Sequence, residues 1–306
     1  MRTSTFENVG TDVSHCKTSE EVLSEARLSY NVVTRRIKYE GTDGSLRDYP
    51  DKVLTMNETN GKVYGVVSEK YTVCQNKDAF NFIDYIGHDD TGFEFVKAGE
   101  VSSGKGKGLI YIIARISETT LMGDTITPYI IFQNSHDGLA SVRATITPLR
   151  IVCQNQFNLA FKKSSNTVRI IHAPQMNERL FMARSMMRDV RDYMQTFKCN
   201  AEQLVMKKVE FDNVVKLFNQ VFQYDPNTMT KRQENNYEKN RTAFINCYKH
   251  DDNQNFVGTA WGVINGAADY LTHYKGIRKP SDETMFVNTT FLSMALNQFF
   301  SMVSEI

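Results

Sequence analysis

The chain has 306 residues, 41% of them hydrophobic and 23% charged, which is enough to bury a sizeable core and is the composition of a soluble globular protein. A formal net charge of +1 excludes a uniformly basic surface. The five cysteines (Cys16, Cys74, Cys153, Cys199, Cys247) are widely spaced and never form a Cys-x-x-Cys pair, which argues against a disulfide framework and a zinc ribbon. No apolar run approaches membrane-spanning length and the N-terminus lacks an apolar signal region, so no membrane partner and a reducing cytoplasm are expected.

In chain order, residues 18–28 predict a short helix with Thr18 or Ser19 as N-cap and acids in the first turn. From about 30 to 76 the pattern is extended and broken by the turn clusters "GTDGS" and "NETN". "KDAFNFIDYIG" then predicts one compact helix. Four strand candidates of similar length follow: "FEFVKAGEVSSG", "GLIYIIARIS", "TPYIIFQNS" and "LASVRATITP". The first pair is joined through the basic turn "GKGKG", the second through "HDG", whose Asp-Gly is a strong hairpin signal. In the fourth strand Val142, Ala144 and Ile146 share one face, while Ser141, Arg143, Thr145 and Thr147 share the other. An antiparallel meander with one covered and one wet face is the expectation, and "NTVRIIHA" (166–173) offers a further strand. After Pro174 the pattern turns helical. Leu180, Ala183, Met187, Val190, Met194 and Phe197 form a heptad-like seam beside a stripe of Arg184, Arg188 and Arg191. Helices are also predicted over 211–222, 230–250, "GTAWGVINGAADYLTHY" and the terminal stretch carrying Leu292, Ala295, Phe299 and Val303. The fold class is therefore α+β, an antiparallel meander with flanking helices followed by a helical region. The expected division is a mixed domain over 1–173 and a helical region over 174–306.

Several motifs invite chemistry and fall short of it. "GEVSSGKG" (99–106) matches the P-loop frame at Gly99, Gly104 and Lys105, but Gly106 stands where Ser or Thr must hold magnesium. A P-loop also has to open a helix, whereas "LIYIIARI" reads as a strand. His136 and Asp137 are adjacent on a strand end, hence on opposite faces, and the hairpin accounts for them. The six histidines are scattered without metal-ligand spacing. The tetrapeptide Val-Cys-Gln-Asn occurs at 73–76 and again at 152–155, each time where extended pattern meets helical pattern. Buried structural cysteines with Asn76 and Asn155 as N-caps explain both copies. No catalytic constellation, metal or cofactor is expected.

Charge distribution is the informative feature. Residues 125–188 hold eight Lys and Arg against Asp137 and Glu178, a net +6 that leaves −5 for the rest of the chain. Arg143 shares a strand face with hydroxyl side chains, Tyr111 and Arg115 share a face of the second strand, and Tyr129 starts the third. Cations that follow phosphates and rings that stack on bases suit single-stranded nucleic acid. The residues expected to line such a surface are Lys105, Lys107, Tyr111, Arg115, Tyr129, Arg143, Arg150, Lys162, Lys163, Arg169, Arg184 and Arg188. A solvated face whose charges serve solubility is the competing reading.

The ordered segments "GVVSEKYTVCQNKDAFNFID", "AGEVSSGKG", "NSHDG", "TPLRIVCQNQFNLAF", "VRIIHA" and "GTAWGVINGAADYLTHY" resemble the phage- and plasmid-encoded proteins grouped as a domain of unknown function. The likeness runs from about residue 20 to 275; the second joint departs from the pattern, with Cys-Gln-Asn-Gln where the family has Cys-x-Asn-Thr. What the resemblance implies is a mobile-element protein acting in a bacterial cytoplasm, with no catalytic residues transferred. The meander with a basic tip and a crossing helix is also similar to the core of single-strand annealing proteins, a likeness of fold alone. The leading expectation is thus a non-enzymatic single-stranded DNA-binding protein for recombination or replication. The alternative is an interaction protein whose basic surface meets an acidic host partner. Homo-oligomerisation is compatible with either.

Overall fold

The computed structural model describes residues 10–86, 93–101, 108–121, 124–138, 142–150, 155–156, 167–169, 176–225, 228–274 and 295–305. It is an α+β fold of two antiparallel sheets with a helical C-terminal region. After a short strand β1 (Thr11–Asp12), helix α1 (Ser19–Glu25) starts at Thr18, whose hydroxyl accepts from the Glu21 N–H while the Glu21 carboxylate reaches back to the cap, a capping box. Strands β2 (Val32–Glu40), β3 (Leu46–Asn57) and β4 (Val63–Ser68) form the smaller sheet, in sequence order. Helix α2 (Asn76–Phe80) is a single turn of α-helix and passes into a 3-10 segment, Asn81–Tyr85, where one continuous helix was expected. The reason is spacing: Phe80, Ile83 and Ile86 are all buried three residues apart, and a three-residue turn keeps them on one line.

The larger sheet contains β5 (Glu94–Glu100), β6 (Leu109–Arg115), β7 (Thr119–Leu121), β8 (Asp124–Ser135), β9 (Arg143–Arg150), β10 (Asn155–Gln156) and β11 (Thr167–Arg169). Its main path runs β1-β5-β6-β8-β9-β10, with β7 on β8 and β11 on β9. The meander is therefore present, and 166–173 does contribute a strand. Two expectations need correction. Asn155 opens β10, paired with Arg150, so the second Val-Cys-Gln-Asn ends in a strand returning along β9 instead of in a helix N-cap. The sheet is also not wet on one side throughout. Ile110, Ile112 and Ala114 of β6 face the main core, with Ile130, Phe132, Ala144 and Ile146 beside them. The opposite face buries Leu109, Tyr111 and Ile113 with Val101 and Ile131 in a second, smaller core. β6 is apolar without alternation, which is how a strand covered on both faces reads.

Helices α3 (Met176–Met206), α4 (Phe211–Val221), α5 (Lys231–Tyr248) and α6 (Ala260–His273) follow, with a last helix at residues 295–305. The seam of α3 buries Met187, Val190 and Phe197, as its spacing predicts. Thr230 caps α5 in a second capping box with Gln233. From Ala260 to Leu271 helix α6 is buried on every side, and at Gly266 a methyl group would lie 2.7 Å from the Tyr248 Cα, so α5 and α6 pack backbone to backbone there. One hydrophobic core runs continuously from the sheet through α1, α2 and α3 to Phe218, Phe244, Trp261 and Phe299. No helix among the described residues is long and apolar enough to cross a membrane.

Candidate functional site

Register decides which of the predicted surface residues meet. Across the larger sheet, Gly99, Tyr111, Gln133, Arg143 and Arg169 are successive partners on β5, β6, β8, β9 and β11. Two rows away, Arg115 partners Tyr129. Since Tyr111 and Arg115 lie four residues apart, both rows belong to one face of the sheet. Tyr111 is buried at the centre of that face, with 1% of its surface accessible, so its ring is closed to a stacking partner. Tyr129 is half-buried against the same small core. Arg115 is exposed and its Nε and Nη2 donate to Glu94 Oε2 at 2.8 and 2.5 Å. Arg143 is half-buried; its Nε donates to Gln133 Oε1 at 2.8 Å, which fixes the plane of the guanidinium.

Arg150 is at the other end of β9, opposite Ile126, seven residues or roughly 23 Å from Arg143. Arg184 and Arg188 lie on α3, which packs on the 3-10 segment, β7 and α6. Arg188 is exposed and donates to Ser185 Oγ at 3.3 Å. Lys105, Lys107, Lys162 and Lys163 lie outside the described residues, as does Cys153. What the structure brings together is therefore Arg143 with Arg169, and Arg115 with Tyr129.

A second constellation went unread in the sequence. The smaller sheet docks on the end of the larger one around His136, which is fully buried. The Thr55 hydroxyl donates to the His136 carbonyl at 2.6 Å, and the Tyr64 ring packs 5.5 Å from the imidazole. His136 Nε2 lies 2.8 Å from Asn76 Oδ1. Neighbouring bonds fix the proton. Asn76 Nδ2 donates to the Leu28 carbonyl at 3.0 Å, so the oxygen of that amide must face the histidine. Asn134 Nδ2 donates to the Cys74 carbonyl and, at 3.2 Å, to the same Asn76 oxygen. An oxygen accepting from Asn134 can only accept from His136 as well, so Nε2 carries the hydrogen and Nδ1 is a lone pair. That Nδ1 is buried and has no hydrogen-bond partner among the described residues. Burial is the main reason the imidazole pKa falls to about 4; the charges of Glu100 and Asp137 pull weakly the other way.

Beside this joint, Glu100 accepts from Lys62 Nζ at 2.6 Å and from the Tyr30 hydroxyl at 2.7 Å, and the Tyr30 and Tyr64 rings stack at 6.4 Å. Burial, and then the bonds and charge of its neighbours, raise the Tyr30 pKa, so the hydroxyl remains a donor. Gln75, and not Asn76, is the N-cap of α2, and its side chain makes no cap. Instead its amide accepts from the Val32 N–H and donates to the Val32 carbonyl, both at 2.9 Å. Cys74 is half-buried, with its thiol pushed up to about 11 chiefly by burial and then by Asp78, and is no nucleophile in that state. Among the described residues no three acidic, His or Cys side chains gather to hold a metal. The near P-loop leads into strand β6, not a helix.

These features define an α+β protein whose two sheets are pinned by a buried His–Asn joint and whose larger sheet carries an arginine pair at one end. The family described as Domain of unknown function (DUF932) matches residues 63–292, three quarters of the chain, and the chain belongs to it. The joint draws on three of the segments that carried the resemblance: Asn76, Glu100, and Asn134 with His136. No curated protein matches the chain, and no solved structure does.

Proposed function

We propose that this protein binds single-stranded DNA without catalysing a reaction, as a recombination or replication accessory of a phage or plasmid. What supports the reading is the β9–β11 register, which makes Arg143 and Arg169 direct cross-strand partners. Like charges directly opposite each other on a sheet cost up to about 1 kcal/mol. A phosphate between them turns that repulsion into binding energy, and two guanidinium groups give it forked donors. Tyr129 offers a half-buried ring further along the same face, beside Arg115, whose guanidinium Glu94 holds in an ion pair.

The test is fluorescence anisotropy of a labelled oligothymidylate at several salt concentrations. Wild type should bind, with affinity falling as salt rises. Arg143→Gln with Arg169→Gln should flatten the logarithmic salt slope by about 0.7, the share of the one phosphate held between them. A thermal melt checks that the double variant folds. Absence of binding at low salt refutes the reading, and unchanged binding by a folded double variant removes this pair from it.

A further inference from the structure

The smaller sheet has the order β2-β3-β4, so β2 is an edge, nine residues long. Which of its backbone groups face outward follows from two observations. Glu58 N donates to the Asn31 carbonyl, so Asn31 points toward β3. Both backbone groups of Val32 are instead taken by the Gln75 amide, so Val32 points away from β3. Alternation then turns the N–H and C=O of Thr34 and Arg36 outward as well. Thr34, Arg35 and Arg36 are exposed, and no strand pairs with this edge among the described residues. The Arg35 guanidinium covers the Thr34 carbonyl from its own strand at 3.2 Å. Gln75 makes at Val32 the two-point contact that a neighbouring strand makes, so the edge already holds the first rung of a ladder that continues unfilled.

We propose that the β2 edge receives an added strand, an extended acidic segment of a partner protein. Charge selects that occupant. β2 carries Arg35, Arg36 and Lys38 against Glu40, and only Arg36 has an ion-pair partner among the described residues, Asp48 at 3.5 Å. A second copy of β2 is a poor occupant. Antiparallel pairing centred on Arg35 sets it against itself, as does pairing centred on Arg36, and pairing centred on Ile37 sets Arg36 against Lys38 twice. Each places like charges opposite one another, and pairing centred on Thr34 sets Arg36 against Val32, whose backbone groups Gln75 already takes. An incoming strand that alternates acidic and β-branched residues meets Arg36 and Lys38 with its acids and extends the row of Val33 and Ile37 with the others. Main-chain bonds supply the affinity and alternate side chains the selectivity. This surface is separate from the arginine pair of β9 and β11 and does not depend on it.

The probe is a short fluorescein-labelled peptide of alternating valine and glutamate, titrated into the full chain at low salt. Its control carries a methyl group on every backbone nitrogen, which keeps the charge and the side chains and removes the strand's donors. Thr34→Pro deletes one outward N–H without touching the β2–β3 ladder, as edge strands tolerate; Thr34→Val keeps that N–H. Saturable binding is expected for the valine peptide. It should weaken about tenfold in Thr34→Pro, the scale of a lost backbone hydrogen bond or two, and persist in Thr34→Val. Equal binding of the N-methylated peptide, equal binding by a folded Thr34→Pro chain, or no binding by wild type would overturn the proposal. So would a wild-type dimer in sedimentation that Thr34→Pro returns to monomer, since β2 would then pair with its own copy.

Discussion

Acidification should loosen the joint at His136 by an amount the structure sets. An ordinary histidine has a pKa of 6.5, and burial holds this one to about 4. The unfolded chain therefore takes up a proton that the folded chain refuses throughout that interval. The joint's contribution is complete above pH 6.5, falls by about 1.4 kcal/mol for each pH unit below it, and is gone below pH 4, a total of about 3 kcal/mol. Protonation would also place a donor at Nδ1, where no acceptor waits among the described residues. The measurement is urea unfolding of wild type and His136→Gln between pH 7 and pH 4.5. Glutamine retains an amide that can donate to Asn76 Oδ1 and does not titrate. Stability of wild type should fall more steeply than that of the variant, with the excess concentrated below pH 6.5. Parallel decline of the two proteins would refute the burial argument.

Two further perturbations test the packing. At Gly262 an alanine methyl would sit 2.0 Å from the Phe256 carbonyl oxygen, a backbone atom that cannot swing aside. Gly262→Ala should cost about 2–4 kcal/mol in a thermal or denaturant melt, and a loss within experimental error would show that α6 shifts freely. Lys62→Met strips Glu100 of its cation while the Tyr30 hydroxyl remains. With the pair's side chains 26% and 16% exposed, the loss should be about 2 kcal/mol, less than for a fully buried pair. A double-mutant cycle with Glu100→Gln should return a coupling of the same sign; none would mean that solvent already screens the pair.

Where structure follows from nearest neighbours, the chain could be read directly. Thr18 with Glu21 and Thr230 with Gln233 are capping boxes visible as four-residue patterns, and both helices begin where those patterns place them. The Asp-Gly after His136 likewise marks a turn, with Gly138 at a φ of +78°. Reading failed where a distant element chose between two local options. Residues 76–86 have helical spacing at short range, yet burial of Phe80, Ile83 and Ile86 along one line selects the 3-10 form. Asn155 looked like an N-cap because polar residues follow an apolar run; β9 claims it as a strand partner. The unbroken run Leu109–Ala114 did carry the signal of two-sided burial, and only the habit of treating a meander as half-wet concealed it.

The surface residues show the same division. Residue types and charge imbalance were legible, but the pairing of Arg143 with Arg169 and its distance from Arg150 are properties of register, which no local spacing encodes. The two polar residues that end the first Val-Cys-Gln-Asn illustrate why. Either one could have capped α2, and a cap needs only a side-chain oxygen at the right step. Both are spent elsewhere: Gln75 closes the edge of β2 at Val32, and Asn76 ties Leu28, Asn134 and His136 together. A helix one turn long gains little from a cap, whereas an amide buried between two sheets satisfies several polar groups that would otherwise be stranded away from water, at about 1–3 kcal/mol each. The larger free energy decides, and it is stored in contacts between segments dozens of residues apart.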